Sequence, residues 1–436
     1  MKRILVIIQM LACLGIFSEF LTVSANVKIR HESVRLTRIG PERRFGVSPT
    51  GILYRPVDKM PQTVVIIIHP ENDRRNDWHC TAIAQRGYAA FCMATRYVRE
   101  NEHLIMEEVV LDLAEAVRYL KEDRGFRYIV LQGHSGGGST VALYQNQAGK
   151  NPPNRIQHTP AGDPPNLNNY YLPEADGLII SAAHLGRGWA VARKLDPSVV
   201  DENDALSVDP SLDMFDPKNG FRIPPEASLY SAEFIERFKA AQAARMQRLI
   251  AKAFSMVAER KMYQKLLAAP DFSERTPREQ LKIRRGAIVQ RYMTIYRDFS
   301  SLYYVDPTFD SDDRLLGTTR GNRPDLYNYY AYFHPRNISP EALLSAESTA
   351  SNVYTPNLLP DVTVPLLAII GSADPGSLVS ETRTHYEASG SKDKKFVVIE
   401  GADHSYLPAG PKAGKGDQRE RTAKVLTEWL SKRFPR

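Results

Sequence analysis

The chain reads as an α/β protein, a mostly parallel, doubly wound sheet interrupted by a large, mainly helical lid insertion. Three observations predict this. Short apolar runs of strand length alternate with helical patterns from Thr63 to Ala183, the alternation stops between Arg187 and Pro360, and it resumes from Pro365 to the end. With 436 residues, 43% hydrophobic and 25% charged, the chain is long enough for two units and can bury a large core. Its net charge of +7 is spread without a dense Lys/Arg block, which reads as a solvated basic surface and excludes nucleic acid as the expected partner.

The first 25 residues read as an address. Met1-Lys2-Arg3 is basic, Ile4 to Phe17 is mostly apolar, and Val23-Ser24-Ala25 is a small-residue cleavage pattern, so cleavage after Ala25 and export to a periplasmic or secreted location are expected. A lipoprotein signal at Cys13 is the alternative, although Met10 and Leu14 fit it poorly. The mature chain is expected to carry no integral membrane span.

Strand-like segments then appear around Val34 to Thr37 and Gly51 to Arg55. Thr63 to Ile68 (T-V-V-I-I-I) is too apolar for a strand with one wet face, which predicts burial on both sides of a parallel sheet. A helical stretch near Trp78 to Arg86, a strand over Tyr88 to Met93 and a helix from about Leu104 to Lys121 lead to a strand at Tyr128 to Gln132. Lys150 to Asp176, rich in Pro and Asn, reads as a long loop, and Gly177 to Ala183 as another buried strand.

Within the insertion, Tyr230 to Ala268 carries a stripe of Phe234, Phe238, Met246, Leu249, Ile250, Phe254 and Val257, and Arg278 to Arg297 reads as a second helix. Tyrosines at 303, 304, 327, 329, 330 and 332, with Phe333, pack lid against core or line a pocket for an aromatic substrate. Strands at Pro365 to Ile370 and Lys395 to Ile399 and a helix from Gln418 to Arg433 complete the alternation. The organisation predicted is a signal over 1–25, a core over 26–186 and 361–436, and a lid over 187–360. Cys80 and Cys92 remain after signal removal; a bridge is open to them, but Cys92 lies in an apolar run where a buried free thiol is the commoner state.

Chemistry concentrates at strand ends. Gly133-His134-Ser135-Gly136-Gly137 follows a strand and precedes a helix, the setting in which a serine hydroxyl is exposed on a sharp turn. Gly371-Ser372-Ala373-Asp374 and Gly401-Ala402-Asp403-His404 follow two later strands, presenting an acid and a base. His69-Pro70-Glu71-Asn72 ends the Thr63 to Ile68 strand; Pro70 has no N–H, so Glu71, or less directly Asn72, is the backbone oxyanion donor expected beside Gly136. No HExxH or CxxC spacing is present, so no catalytic metal and no cofactor are expected.

In these motifs and in their order, Ser…Asp…His, the chain resembles the α/β-hydrolase superfamily. The resemblance covers Asn26 to Gly186 and Asp361 to Arg436, departing at His69-Pro70 where many members carry His-Gly. It implies an eight-stranded, mostly parallel sheet with Ser135 after strand five, Asp374 after strand seven and His404 after strand eight. It also implies a serine hydrolase of the esterase and lipase type, with Ser135 as nucleophile, His404 as base and Asp374, ahead of the adjacent Asp403, as the acid that orients it. A carboxylic ester is the expected substrate over an amide because its leaving group needs less activation, a choice the motif itself does not make. Superfamily members that are dehalogenases or epoxide hydrolases use aspartate at the nucleophile position, and dienelactone-type enzymes use cysteine, so Ser135 points away from those chemistries. An exported peptidase or amidase, an acyltransferase, and a non-catalytic binding protein on the same fold are the alternatives.

Overall fold

Six β-branched residues, Thr63 to Ile68, form a strand in which every position is buried, and the molecule is layered about it. The computed structural model describes residues 27–41, 47–310, 312–330 and 335–436; the expected export signal, Cys13, Tyr332 and Phe333 lie outside these. Eight strands make one sheet: β1 (Ile29–Arg35), β2 (Thr50–Pro56), β3 (Thr63–Ile68), β4 (Ala89–Ala94), β5 (Tyr128–His134), β6 (Gly177–Ser181), β7 (Leu366–Gly371) and β8 (Lys394–Ile399). Their spatial order is β1-β2-β4-β3-β5-β6-β7-β8, antiparallel through β1, β2 and β4 and parallel thereafter. This is the α/β-hydrolase fold, with strand five leading to Ser135, strand seven to Asp374 and strand eight to His404.

Alternation along each parallel strand sends neighbouring side chains to opposite layers. Ile66, Ile68, Leu131 and Ile180 pack on one face with Val109, Leu113 and Val117 of α2 (Met106–Arg118) and Val141 and Leu143 of α3 (Gly136–Ala148). Val65, Ile67, Val130 and Ile179 pack on the other with Ile83 of α1 (Trp78–Ala84) and Leu426, Trp429 and Leu430 of the C-terminal helix Gln418–Ser431. Register then levels the strand ends: Ile68 pairs with Gly133, and His134 with Ser181. The carboxyl rim is where an open α/β sheet places its ligands.

The segment from Arg187 to Pro360 adds α4 (Arg187–Ala192), the 36-residue α5 (Ala232–Leu267) and α6 (Pro277–Ile288). The predicted stripe of α5 is buried except at Phe254, which is 43% exposed. The second helix ends at Ile288, not Arg297. Val289 is already extended, and Met293–Thr294 pairs antiparallel with Asn337–Ile338, which buries Met293 and Ile295. Helix propensity there yields to tertiary pairing. Tyr329 and Tyr330 are exposed.

Cys80 and Cys92 are bonded to each other, which corrects the free-thiol expectation. Helix α1 folds back on β4 so that the two Cα atoms stand 6.2 Å apart, within bridging range. Among the described residues, no helix is long and apolar enough to cross a membrane.

Candidate active site

The turn after β5 is strained and tightly pinned. Ser135 has φ 57° and ψ −125°, a region that residues with a Cβ avoid unless their surroundings enforce it. The enforcement is visible on both sides. The Ser135 N–H donates to the Ser181 carbonyl at 2.9 Å, and the Gly138 N–H donates to the Ser135 carbonyl at 3.0 Å. A Cβ on Gly133 would overlap the Gly137 carbonyl, and one on Gly137 would overlap the Ile68 carbonyl, so only glycine lets β3, β5 and α3 approach this closely. Gly136 opens α3, where the first N–H groups have no intrahelical partner.

Asp374 and His404 meet across the rim. The His404 Nδ1 lies 2.8 Å from Asp374 Oδ2 and 3.0 Å from Oδ1, with the aspartate side chain fully buried and the imidazole partly open. Oδ1 also accepts the N–H groups of Gly376 at 2.7 Å and Ser377 at 3.1 Å, which fixes the carboxylate plane. Asp403 faces elsewhere, accepting the N–H groups of Ser405 and Leu407, both at 2.8 Å.

Ser135 and His404 line one cavity of about 260 Å³. The core contributes His69, Glu71 and Asn72 to its wall; Arg187, Lys194, Tyr304 and Arg320 come from the segment after Gly186. The aromatic contribution is therefore Tyr304 with Phe299, while Tyr303 lines a separate cavity beside Trp189 and Tyr354.

Glu71 is a correction. Its backbone N–H is not free for an oxyanion, because it donates to His69 Nδ1 at 3.3 Å, and the N–H of Asn72 donates to the same nitrogen at 3.0 Å. The turn brings its own acceptor, and the imidazole takes up both amides. What Glu71 offers is its carboxylate, which receives Arg187 Nη1 at 2.9 Å and Nη2 at 3.2 Å. Arg187 is held from the other side by Glu347, through Nε at 2.8 Å and through Nη2. Both ends of this pair are nearly withdrawn from water, so the charges must answer one another.

Burial sets the protonation of the wall. It pushes His69 and His184 well below the ordinary histidine range, with the Arg187 cation adding to the effect at each, so both rings are neutral. Burial, with Arg193 adjacent, pushes Lys194 down to about 7. Among the described residues, no group of three or more His, Cys, Asp or Glu side chains is gathered for a metal ion. Arg187, Lys194 and the ring of His69 went unseen in the sequence. They carry no motif, and for Arg187 the signal would have been a carboxylate 116 residues before it and another 160 after.

No protein-family model and no curated protein matches the chain. Solved structures similar to it include DcsB with its substrate analogue (13% identity, covering 93% of this chain and 99% of that one, TM-score 0.47). Others are the esterase domain of a Rhodothermus marinus protein (13%, 93% and 98%, 0.42) and the monoacylglycerol lipase of Paleococcus ferrophilus (13%, 93% and 99%, 0.39). At such values the fold rests on the strand order and not on these likenesses.

Proposed function

We propose that this chain, an α/β-hydrolase by its fold, is a serine hydrolase that cleaves carboxylic esters through an acyl-enzyme. One observation carries the reading: the strained Ser135 shares a cavity with His404, whose Nδ1 is bound at 2.8 Å by a buried carboxylate. A serine hydroxyl is a weak nucleophile at neutral pH, and Asp374 holds the proton of His404 on Nδ1, leaving Nε2 as the base. As Ser135 Oγ bonds to the substrate carbonyl carbon, its proton passes to Nε2 and the carbonyl electrons move onto oxygen. Collapse breaks the bond to the alcohol, which leaves with the proton from His404. Water, deprotonated by the same nitrogen, then releases the acid and restores Ser135.

The size of the cavity favours a small reacting group, since sites for drug-sized ligands run from roughly 300 to 1,000 Å³. Esters are favoured over amides because the alcohol needs less activation to leave. The segment over 187–360 acts as a lid, supported by its supply of Arg187, Lys194, Tyr304 and Arg320 to the cavity wall. Export is supported by the Cys80–Cys92 bridge, which suits an oxidising compartment. Turnover of short-chain and aromatic p-nitrophenyl esters, set against matched anilides, tests the assignment. Ester cleavage well above anilide cleavage is expected, and an ester rate no higher than buffer, with purified folded protein, would sink it.

A further inference from the structure

With Pro70 lacking an N–H and the amides of Glu71 and Asn72 engaged by His69, the backbone after β3 does not present the donor a tetrahedral oxyanion needs beside Gly136. We propose that the side chain of His69 supplies it, through Nε2–H. The inference rests on the ester-hydrolase reading of the site.

The tautomer follows from the hydrogen bonds. Two backbone N–H groups converge on Nδ1, and a nitrogen that accepts hydrogen bonds cannot itself carry a proton. In the neutral ring the proton is therefore on Nε2. The ring is 3% exposed and has the cations of Arg74 and Arg187 in its surroundings, both of which oppose a second proton. His134 and His184, its other titratable neighbours, are themselves buried and neutral.

Position follows from Gly136. A Cβ added there would stand 3.0 Å from His69 Nε2 and 3.4 Å from Arg187 Nη1, so the protonated edge of the ring flanks the residue whose N–H is the first donor. His69 and Ser135 line the same cavity. Asn72 Nδ2 stands 3.4 Å from Nε2; with the proton on Nε2 it faces that nitrogen as donor against donor, so it makes no hydrogen bond there and does not occupy the Nε2–H. Arg187 flanks Gly136 beside the ring and lines the same cavity. Four of its five N–H groups are spent on Glu71 and Glu347, which clamps the guanidinium, and the remaining one is on Nη1, the nitrogen that faces Gly136. In the first step, the electrons leaving the carbonyl π bond settle on an oxygen held by the Gly136 N–H and the His69 Nε2–H.

His69→Leu removes the donor, and losing one oxyanion donor lowers kcat by about 10²–10³-fold. The expected result is that loss with little change in KM and an unshifted thermal midpoint, partly recovered in His69→Gln, which again presents a side-chain N–H. Folded His69→Leu with kcat within about threefold of wild type overturns the inference while leaving the hydrolase reading intact. Wild-type protein that neither turns over ester nor takes a fluorophosphonate probe overturns both. Where the leucine variant does not fold, ¹⁵N-histidine NMR of the wild type decides: a bare Nδ1 with protonated Nε2 at neutral pH, and an Nε2–H shifted downfield on phosphonylation of Ser135, support it. A protonated Nδ1 at His69 overturns it.

Discussion

Asp374→Asn separates the role of the carboxylate from its shape. Oδ1 is fixed by the N–H groups of Gly376 and Ser377, so the asparagine must place its oxygen there and turn its NH₂ toward His404. A donor now faces Nδ1, which has to become the acceptor, and the imidazole proton moves to Nε2, where it blocks uptake of the Ser135 proton. The side chain is nearly isosteric and keeps both backbone contacts, so the fold should survive. A reversed tautomer in a serine–histidine–aspartate site lowers kcat by about 10⁴-fold, which at roughly 1.36 kcal/mol per decade is about 5 kcal/mol of transition-state stabilisation. The assay is steady-state hydrolysis of a short p-nitrophenyl ester, with the thermal midpoint measured in parallel. Asp403→Asn is the control, expected to change little because Asp403 serves its own turn. An Asp374→Asn enzyme within about tenfold of wild type would refute the reasoning, since no tautomer reversal has so small an effect.

Arg187→Met strands two carboxylates, Glu71 and Glu347, in a buried site and should lower unfolding stability by about 3–5 kcal/mol in chemical denaturation. Removing the bridge with Cys80→Ala and Cys92→Ala opens a loop of 12 residues, for which the chain-entropy relation gives about 3 kcal/mol, read as a lower thermal midpoint with ester turnover retained below it. His385 is fully buried, and burial, only partly countered by Glu381 and by a hydrogen bond with the His184 backbone, pushes it down to about 4 from 6.5. Between those values the unfolded chain binds the extra proton, so stability should fall as pH drops from 6.5 to 4, and His385→Phe should flatten that slope in urea titrations.

Much of the fold was legible because buried parallel strands are written as short, almost wholly apolar runs. Thr63 to Ile68, Gly177 to Ser181 and Leu366 to Gly371 each stand out from their flanks, and helices fall between them. Ser135, Asp374 and His404 were legible for a related reason. Each sits in the polar turn after a strand of the parallel part of the sheet, so locating the strands placed the residues on one rim. What failed was non-local. The end of α6 at Ile288 depends on a two-residue ribbon with Asn337–Ile338, and the bridge depends on α1 folding back on β4. Glu71 was misjudged because sequence shows that Pro70 lacks an N–H but not that the ring of His69 bends back onto the next two amides.

Mass mapping of the protein after reaction with a fluorophosphonate tests most directly whether these residues form a working nucleophile. One stoichiometric adduct on the peptide containing Ser135 is expected, absent from Ser135→Ala and formed far more slowly by His404→Ala. Labelling that persists in folded Ser135→Ala at the wild-type rate, or wild-type protein that stays unmodified, would contradict it.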